Sequence, residues 1–189
     1  CHVTVPDHMH APITMTALNH GKNVYCQKPL CHEIDEARKI RLAAKKAGVV
    51  TQMGIQIHSH VAYRTGVEVI RSGAIGKVRA VHTWADRAWS NGGRPKPTPA
   101  PKHVHWDLWL GVAPERPWGP NSYHPKKWWS WLDFGTGNLG DMGCHLFDPV
   151  INSIQYGAPT SVRAECKAPE KETWPNAGKV TFNFPETPY

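Results

Sequence analysis

A chain of 189 residues, 40% hydrophobic and 20% charged, has the composition of a globular protein with room for one or two domains. Its formal net charge of +7 comes from 22 basic and 15 acidic residues whose densest clusters are pairs such as Lys45-Lys46 and Lys126-Lys127. That pattern, without a nucleic-acid-binding motif, argues against nucleic acid and leaves a nucleotide phosphate as a plausible anionic partner.

Val3-Thr-Val5 reads as the end of a strand and Pro6-Asp-His-Met-His10 as a loop. Ala11 to His20 has helical periodicity and stops at Gly21. Asn23-Val-Tyr-Cys26 reads as a short buried strand, followed by Gln27-Lys28-Pro29. Glu33 to Ala47 is a strongly amphipathic helix, with its acids early, its bases late and Gly48 closing it. Val49 to Met53 reads as the next strand. Strand, helix, strand, helix, strand with short links predicts parallel strands of a Rossmann-type doubly wound α/β sheet.

Beyond Gly54 the pattern changes. Val61 to Arg71 predicts a helix, Lys77 to Trp84 a strand, residues 86–104 a long loop, and Asp141 to Gln155 a helix. Val162 to Lys167 and Lys179 to Phe184 predict two further strands. Successive strands after a βαβ region predict an α+β domain with a mainly antiparallel open sheet. The expected division is 1–54 and 55–189. The chain begins at Cys1 rather than Met and ends in or just after a strand, Phe182 to Tyr189, so it reads as an interior fragment with its second domain truncated. Five cysteines without CxxC spacing predict free thiols and a cytoplasmic location, with a secreted or periplasmic one left open. No apolar run is long enough to span a membrane.

The chemistry concentrates in DFGTGNLGDMGCHLFD. Asp141 and His145, four residues apart, share one helix face, and Asp148 continues it. An imidazole beside a carboxylate is suited to proton transfer near neutral pH. Asp141 capping its helix, with His145 a satisfied interior residue, is the structural alternative. The literal GxGxxG at Gly135, Gly137 and Gly140 reads as a chance match, because Lys126 to Phe134 is a poor buried strand and the expected acidic residue downstream is replaced by the turn Gly157 to Thr160. Trp106, Trp109, Trp118, Tyr123, Trp128, Trp129 and Trp131 form an aromatic belt. Such rings stack on sugar C–H faces, or form a core or subunit interface.

With VYCQKPL after a strand, the chain resembles the Gfo/Idh/MocA oxidoreductases. VPDHMHAP resembles that family's loop after its fourth Rossmann strand, VYCQKPL its EKP motif, Arg71 to Lys77 its link into the second domain, and GTGNLGDMGCHLFD its Asp-x-x-x-His helix. The resemblance implies an enzyme using NAD or NADP, with hydride passing between the nicotinamide and a carbinol carbon of a sugar, cyclitol or related polyol. It implies a homo-oligomer, dimer or tetramer, and a glycine fingerprint upstream of Cys1. By the same resemblance Lys28 would stabilise alkoxide charge, His145 would be the general base, and Asp141 would orient the imidazole or bind a substrate hydroxyl. Pro6 and His10 resemble positions that line the cofactor, and Gln27, Lys28 and, at the crossover between domains, Gln52 are expected to join them. From the aromatic stretch leading into the active-site turn, Tyr123, His124 and Trp128 are the expected substrate contacts. Gln27 departs from the family's Glu, removing a negative charge beside Lys28.

Three alternatives accompany this reading. A glycosidase of the same family would oxidise transiently, eliminate and reduce again. A metal-dependent hydrolase would use Asp141, His145 and Asp148 with His103, His105 or His124 as ligands, although no ligand motif such as HExxH is present. A non-enzymatic scaffold would have no need of Lys28, Asp141 and His145 together.

Overall fold

The computed structural model describes residues 1–87, 93–167 and 172–186. Three short parallel strands, β1 (His2–Val3), β2 (Val24–Gln27) and β3 (Thr51–Gly54), lie in the order β1-β2-β3. They are joined by α1 (Asp7–Asn19) and α2 (Ile34–Ala47). Two successive right-handed crossovers put both helices on one face of the sheet, where they pack against each other. Val3, Leu18, Val24, Cys26 and Ile40 form the core beneath them. This is the α/β arrangement expected of the C-terminal part of a doubly wound sheet.

Local sequence explains the ends of α2. Glu33 and Glu36 form a reciprocal capping box, and Gly48 ends the helix in the left-handed region at φ 64°. The start of α1 differs from expectation. The helix begins at Asp7, four residues before Ala11, so Asp7 to His10 is its first turn and not a loop. Pro6, in an extended conformation at the N-cap, delivers the chain into the helix, and Asp7 places an acid against the helix dipole.

The second part opens with a 3₁₀ turn, Gln56–Ser59, and α3 (Val61–Arg71), which matches its sequence span. There follow α4 (Trp106–Leu110), a 3₁₀ turn at Trp128–Ser130, α5 (Gly137–Ile154), β4 (Ser161–Cys166) and β5 (Gly178–Asn183). The last two strands are antiparallel, with Ser161 opposite Asn183. α3 packs on α5. Leu110, Tyr123, Trp131 and Phe134 form a separate aromatic core, against which Trp106, Trp109 and Trp128 are packed.

Two expectations are corrected here. Lys77 to Trp84 is irregular and nearly all exposed. Alternation makes a strand only where a neighbour pairs with it and one face is covered; among the described residues β4 and β5 pair with each other alone. The late helix starts at Gly137, so Asp141 lies one turn inside it rather than at its head. Within the expected 86–104 loop, residues 93–104 are irregular or turn, while 88–92 lie outside the described residues, as do 187–189 of the chain's end.

Candidate active site

Lys28 directly follows β2, at the carboxyl edge of the parallel sheet. Its backbone N–H donates to Gln27 Oε1 at 2.9 Å. The next residue is held from α1, where His10 Nδ1 hydrogen-bonds the Pro29 carbonyl at 2.6 Å. These contacts fix the turn that aims the lysine side chain.

α5 meets that turn from the other part of the molecule. The Lys28 ammonium forms an ion pair with the Asp141 carboxylate and donates to the Asp141 carbonyl at 3.1 Å. The two side chains are 13% and 7% exposed, so the pair is largely shielded from solvent screening. Asp141 therefore meets a cation from the first part of the chain rather than capping its own helix.

His145 stands one turn further along α5, and its Nδ1 is buried without a partner. Burial, reinforced by the Lys28 ammonium, lowers its pKa from 6.5, with Asp141 acting in the opposite direction. The imidazole is thus neutral at neutral pH and able to accept a proton. Asp148, on the same face, is engaged elsewhere. It accepts from His58 Nδ1 at 2.8 Å and from Asn152 Nδ2 at 3.2 Å, and Asn152 also bonds the Tyr63 hydroxyl at 2.6 Å. That network ties α5 to α3. A cavity of about 310 Å³, lined by residues including His58, Tyr63, Arg71 and Asn152, lies in this groove and does not include Lys28, Asp141 or His145.

Asp7 was missed in the sequence reading. It is fully buried, and its Oδ2 accepts from the Thr136 hydroxyl at 2.8 Å and the Thr136 N–H at 3.1 Å. Burial pushes its pKa up to about 7, with the Thr136 hydrogen bond opposing and the Asp141 charge adding. The available signal was an acid after proline at a helix start.

The other expected site residues are placed as follows. Pro6 is the N-cap of α1, and Gln52 stands exposed on β3 opposite Tyr25. Tyr123 is 1% exposed, packed between Trp106 and Trp131, which makes it a core residue. His124 is half-buried, edge-on to Trp109. Trp128 is half-buried beside Trp129, at 5.1 Å between ring centroids.

The glycines of GTGNLG serve packing. A Cβ at Gly135 would lie 2.6 Å from the Trp129 backbone, and one at Gly137, where φ is +63°, would lie 2.6 Å from the Trp174 side chain. Among the described residues no three His, Cys, Asp or Glu side chains are grouped to hold a metal ion. No helix among them is long and apolar enough to cross a membrane.

Two family models match. "Oxidoreductase family, NAD-binding Rossmann fold" covers residues 1–55, and "Oxidoreductase family, C-terminal alpha/beta domain" covers residues 67–186. Among curated proteins, 1,5-anhydro-D-fructose reductase of Ensifer adhaerens is 33% identical over 76 residues, 40% of this chain and 23% of that protein. Levoglucosan dehydrogenase of Pseudarthrobacter phenanthrenivorans is 27% identical over 146 residues, 77% of this chain and 30% of that protein. The chain thus spans less than a third of the length of either relative. Among solved structures, aldose-aldose oxidoreductase of Caulobacter crescentus complexed with glycerol aligns with a TM-score of 0.62 at 22% identity, over 97% of this chain and 46% of that one. At that identity the likeness speaks for the fold.

Proposed function

The chain belongs to the Gfo/Idh/MocA oxidoreductase family, and from that premise we propose that the full-length protein is an NAD(P)-dependent dehydrogenase acting on a carbinol carbon of a sugar, cyclitol or related polyol. The observation that carries this reading is the meeting of Lys28, from the carboxyl edge of the parallel sheet, with the α5 face bearing Asp141 and His145. In open parallel sheets, ligands bind outside the carboxyl ends of the strands. Sugar-derived substrates in the names of both curated relatives support the polyol class.

The residues present fit the nicotinamide end of a dinucleotide. Buried polar atoms without partners, His10 Nε2 on α1 and His145 Nδ1 on α5, flank the Lys28 turn. A bound polar ligand satisfies such atoms. Pro6, His10, Gln27, Lys28 and Gln52 would line the cofactor. Bound there, the nicotinamide supplies the hydride acceptor or donor. Lys28 stabilises negative charge developing on the substrate oxygen. His145, held neutral, takes the hydroxyl proton during oxidation and returns it during reduction. Asp141 holds the ammonium in place. His124 and Trp128 offer ring surface to the substrate.

The division into 1–54 and 55–189 belongs to the same proposal, supported by the two matched ranges. So does a homo-oligomeric, cytoplasmic enzyme; the five free thiols support the compartment. The test is nicotinamide absorbance on incubating full-length protein with NAD or NADP and a polyol panel. Net reduced cofactor is the expected result. Sugar release without net cofactor change would replace the dehydrogenase by the redox-neutral glycosidase. Absence of both turnover and cofactor binding would overturn the reading.

A further inference from the structure

We propose that Asp7 is a positioning residue of this site, anchoring the start of α5 so that Asp141 and His145 meet Lys28. The proposal rests on the dehydrogenase reading for its catalytic consequence and on contacts alone for its structural part. Asp7 opens α1, and Thr136 is the N-cap of α5, 129 residues later. One carboxylate oxygen accepts both the Thr136 hydroxyl and its backbone N–H. The second bond satisfies an amide at the helix N-terminus, where α5 has no side-chain cap of its own. Asp7 therefore supplies the cap from the other domain.

The same helical turn makes two more attachments. His8 donates its backbone N–H to the Phe134 carbonyl at 3.3 Å, and its Nε2 lies 3.1 Å from the Leu110 carbonyl. His10 holds the Pro29 carbonyl beside Lys28. Asp7 to His10 thus grips both halves of the site, the lysine turn and the approach to α5. Of the α5-side partners of these grips, Thr136 is nearest Asp141 in sequence, five residues before it.

The test compares Asp7→Ala, Asp7→Asn and Thr136→Val in the full-length protein. Asparagine keeps an oxygen that can accept both Thr136 bonds but carries no charge. Two readouts are used: kcat, and the His145 titration followed by NMR without substrate. Asp7→Asn removes the charge but keeps the accepting oxygen, so a His145 shift seen in Asp7→Ala and absent from Asp7→Asn reports movement rather than lost charge.

Asp7→Ala is expected to shift the His145 titration and lower kcat about 10- to 100-fold, the scale of an ångström-sized misplacement. Asp7→Asn should restore both, and Thr136→Val should fall between. Should Asp7→Ala not fold, Thr136→Val carries the test. An unshifted His145 in the folded variants, or Asp7→Asn as impaired as Asp7→Ala, overturns the proposal. A shift in His145 with no dehydrogenase activity in the parent protein sustains the anchor and removes the function proposed above.

Discussion

Two ion pairs in this molecule join the same kinds of group in different surroundings. Arg116 pairs with Asp133 inside the aromatic core, where the guanidinium is 1% exposed. Its Nε and Nη1 lack acceptors, but the group lies 4.7 Å from the Phe134 ring centroid, with Tyr123 and Trp131 also within cation–π reach. The ring faces take the place of missing acceptors. Lys28 pairs with Asp141 at the junction of the two parts, and the polar atoms left unpartnered around it, on Asp7, His10 and His145, are not covered in this way. A pair whose buried cation is covered by ring faces serves the fold. One ringed by unmet polar atoms and perturbed titrations has the character of a reactive site.

Charge-preserving exchanges break this comparison most sharply. Lys28→Arg keeps the charge but moves it, so kcat/KM is expected to fall about 10²- to 10³-fold while stability changes by less than about 1 kcal/mol. Arg116→Lys removes the planar stack, so stability is expected to fall by about 2 kcal/mol with turnover of the folded protein unchanged. Steady-state kinetics and denaturant unfolding of both variants check the pair. A reversed pattern would mean that the two sites have been assigned the wrong way round.

The next effect is a stability slope with pH. Asp7 has a folded pKa of about 7 against an ordinary value of 3.8. Between these values the folded state binds more protons than the unfolded state, so ionising Asp7 lowers stability as pH rises. Lys28 and Asp141, the charged groups facing it, act in opposite directions. At about 1.4 kcal/mol per pKa unit, the loss from pH 4 to 8 is at most about 4 kcal/mol. Asp7→Asn removes this term, so its stability relative to the parent should improve as pH rises. Urea unfolding across that range measures it, and an Asp7→Asn stability that stays level or falls relative to the parent as pH rises would contradict the assignment.

His145 comes third. As a base with a lowered pKa it is active when neutral, so polyol oxidation should rise with pH through that pKa and then level off. His145→Asn is expected to lower kcat about 10²-fold and abolish the rise. A retained rise would assign it to another group.

Legibility in the sequence followed the range of the forces involved. α2 was readable to within a residue because its capping box, early acids, late bases and Gly48 are all local. α3 was read over its full span, with its stop at Ser72-Gly73. The starts of α1 and α5 were each placed four residues late, because their first turns are made by contacts across the molecule. Asp7 bonds Thr136, and Trp174 packs on Gly137 and donates its indole N–H to the Gly135 carbonyl at 2.7 Å. Glycines there lowered the helical signal, although close packing was their purpose. Lys77 to Trp84 failed in the opposite direction: it alternates as a strand should, but pairing depends on a partner that sequence periodicity cannot specify. For the site, the meeting of Lys28 with Asp141 was foreseeable through the resemblance. The bond between Asp7 and Thr136 was not, since it arises only once two distant helix starts meet.

The smallest expected effect concerns where the aromatic core ends and a ligand-facing surface begins. Tyr123 and Trp128 were paired as substrate contacts, yet one is fully enclosed and the other half-buried beside Trp129. Trp128→Phe retains apolar packing but trims ring area and the indole N–H. If the exposed part of Trp128 stacks on the substrate, KM should rise about three- to tenfold with kcat preserved, matching the 0.5–1.5 kcal/mol of an aromatic contact. Unchanged KM with lowered thermal stability would place Trp128 with Tyr123, inside the core that surrounds Arg116, and would move the substrate boundary to His124.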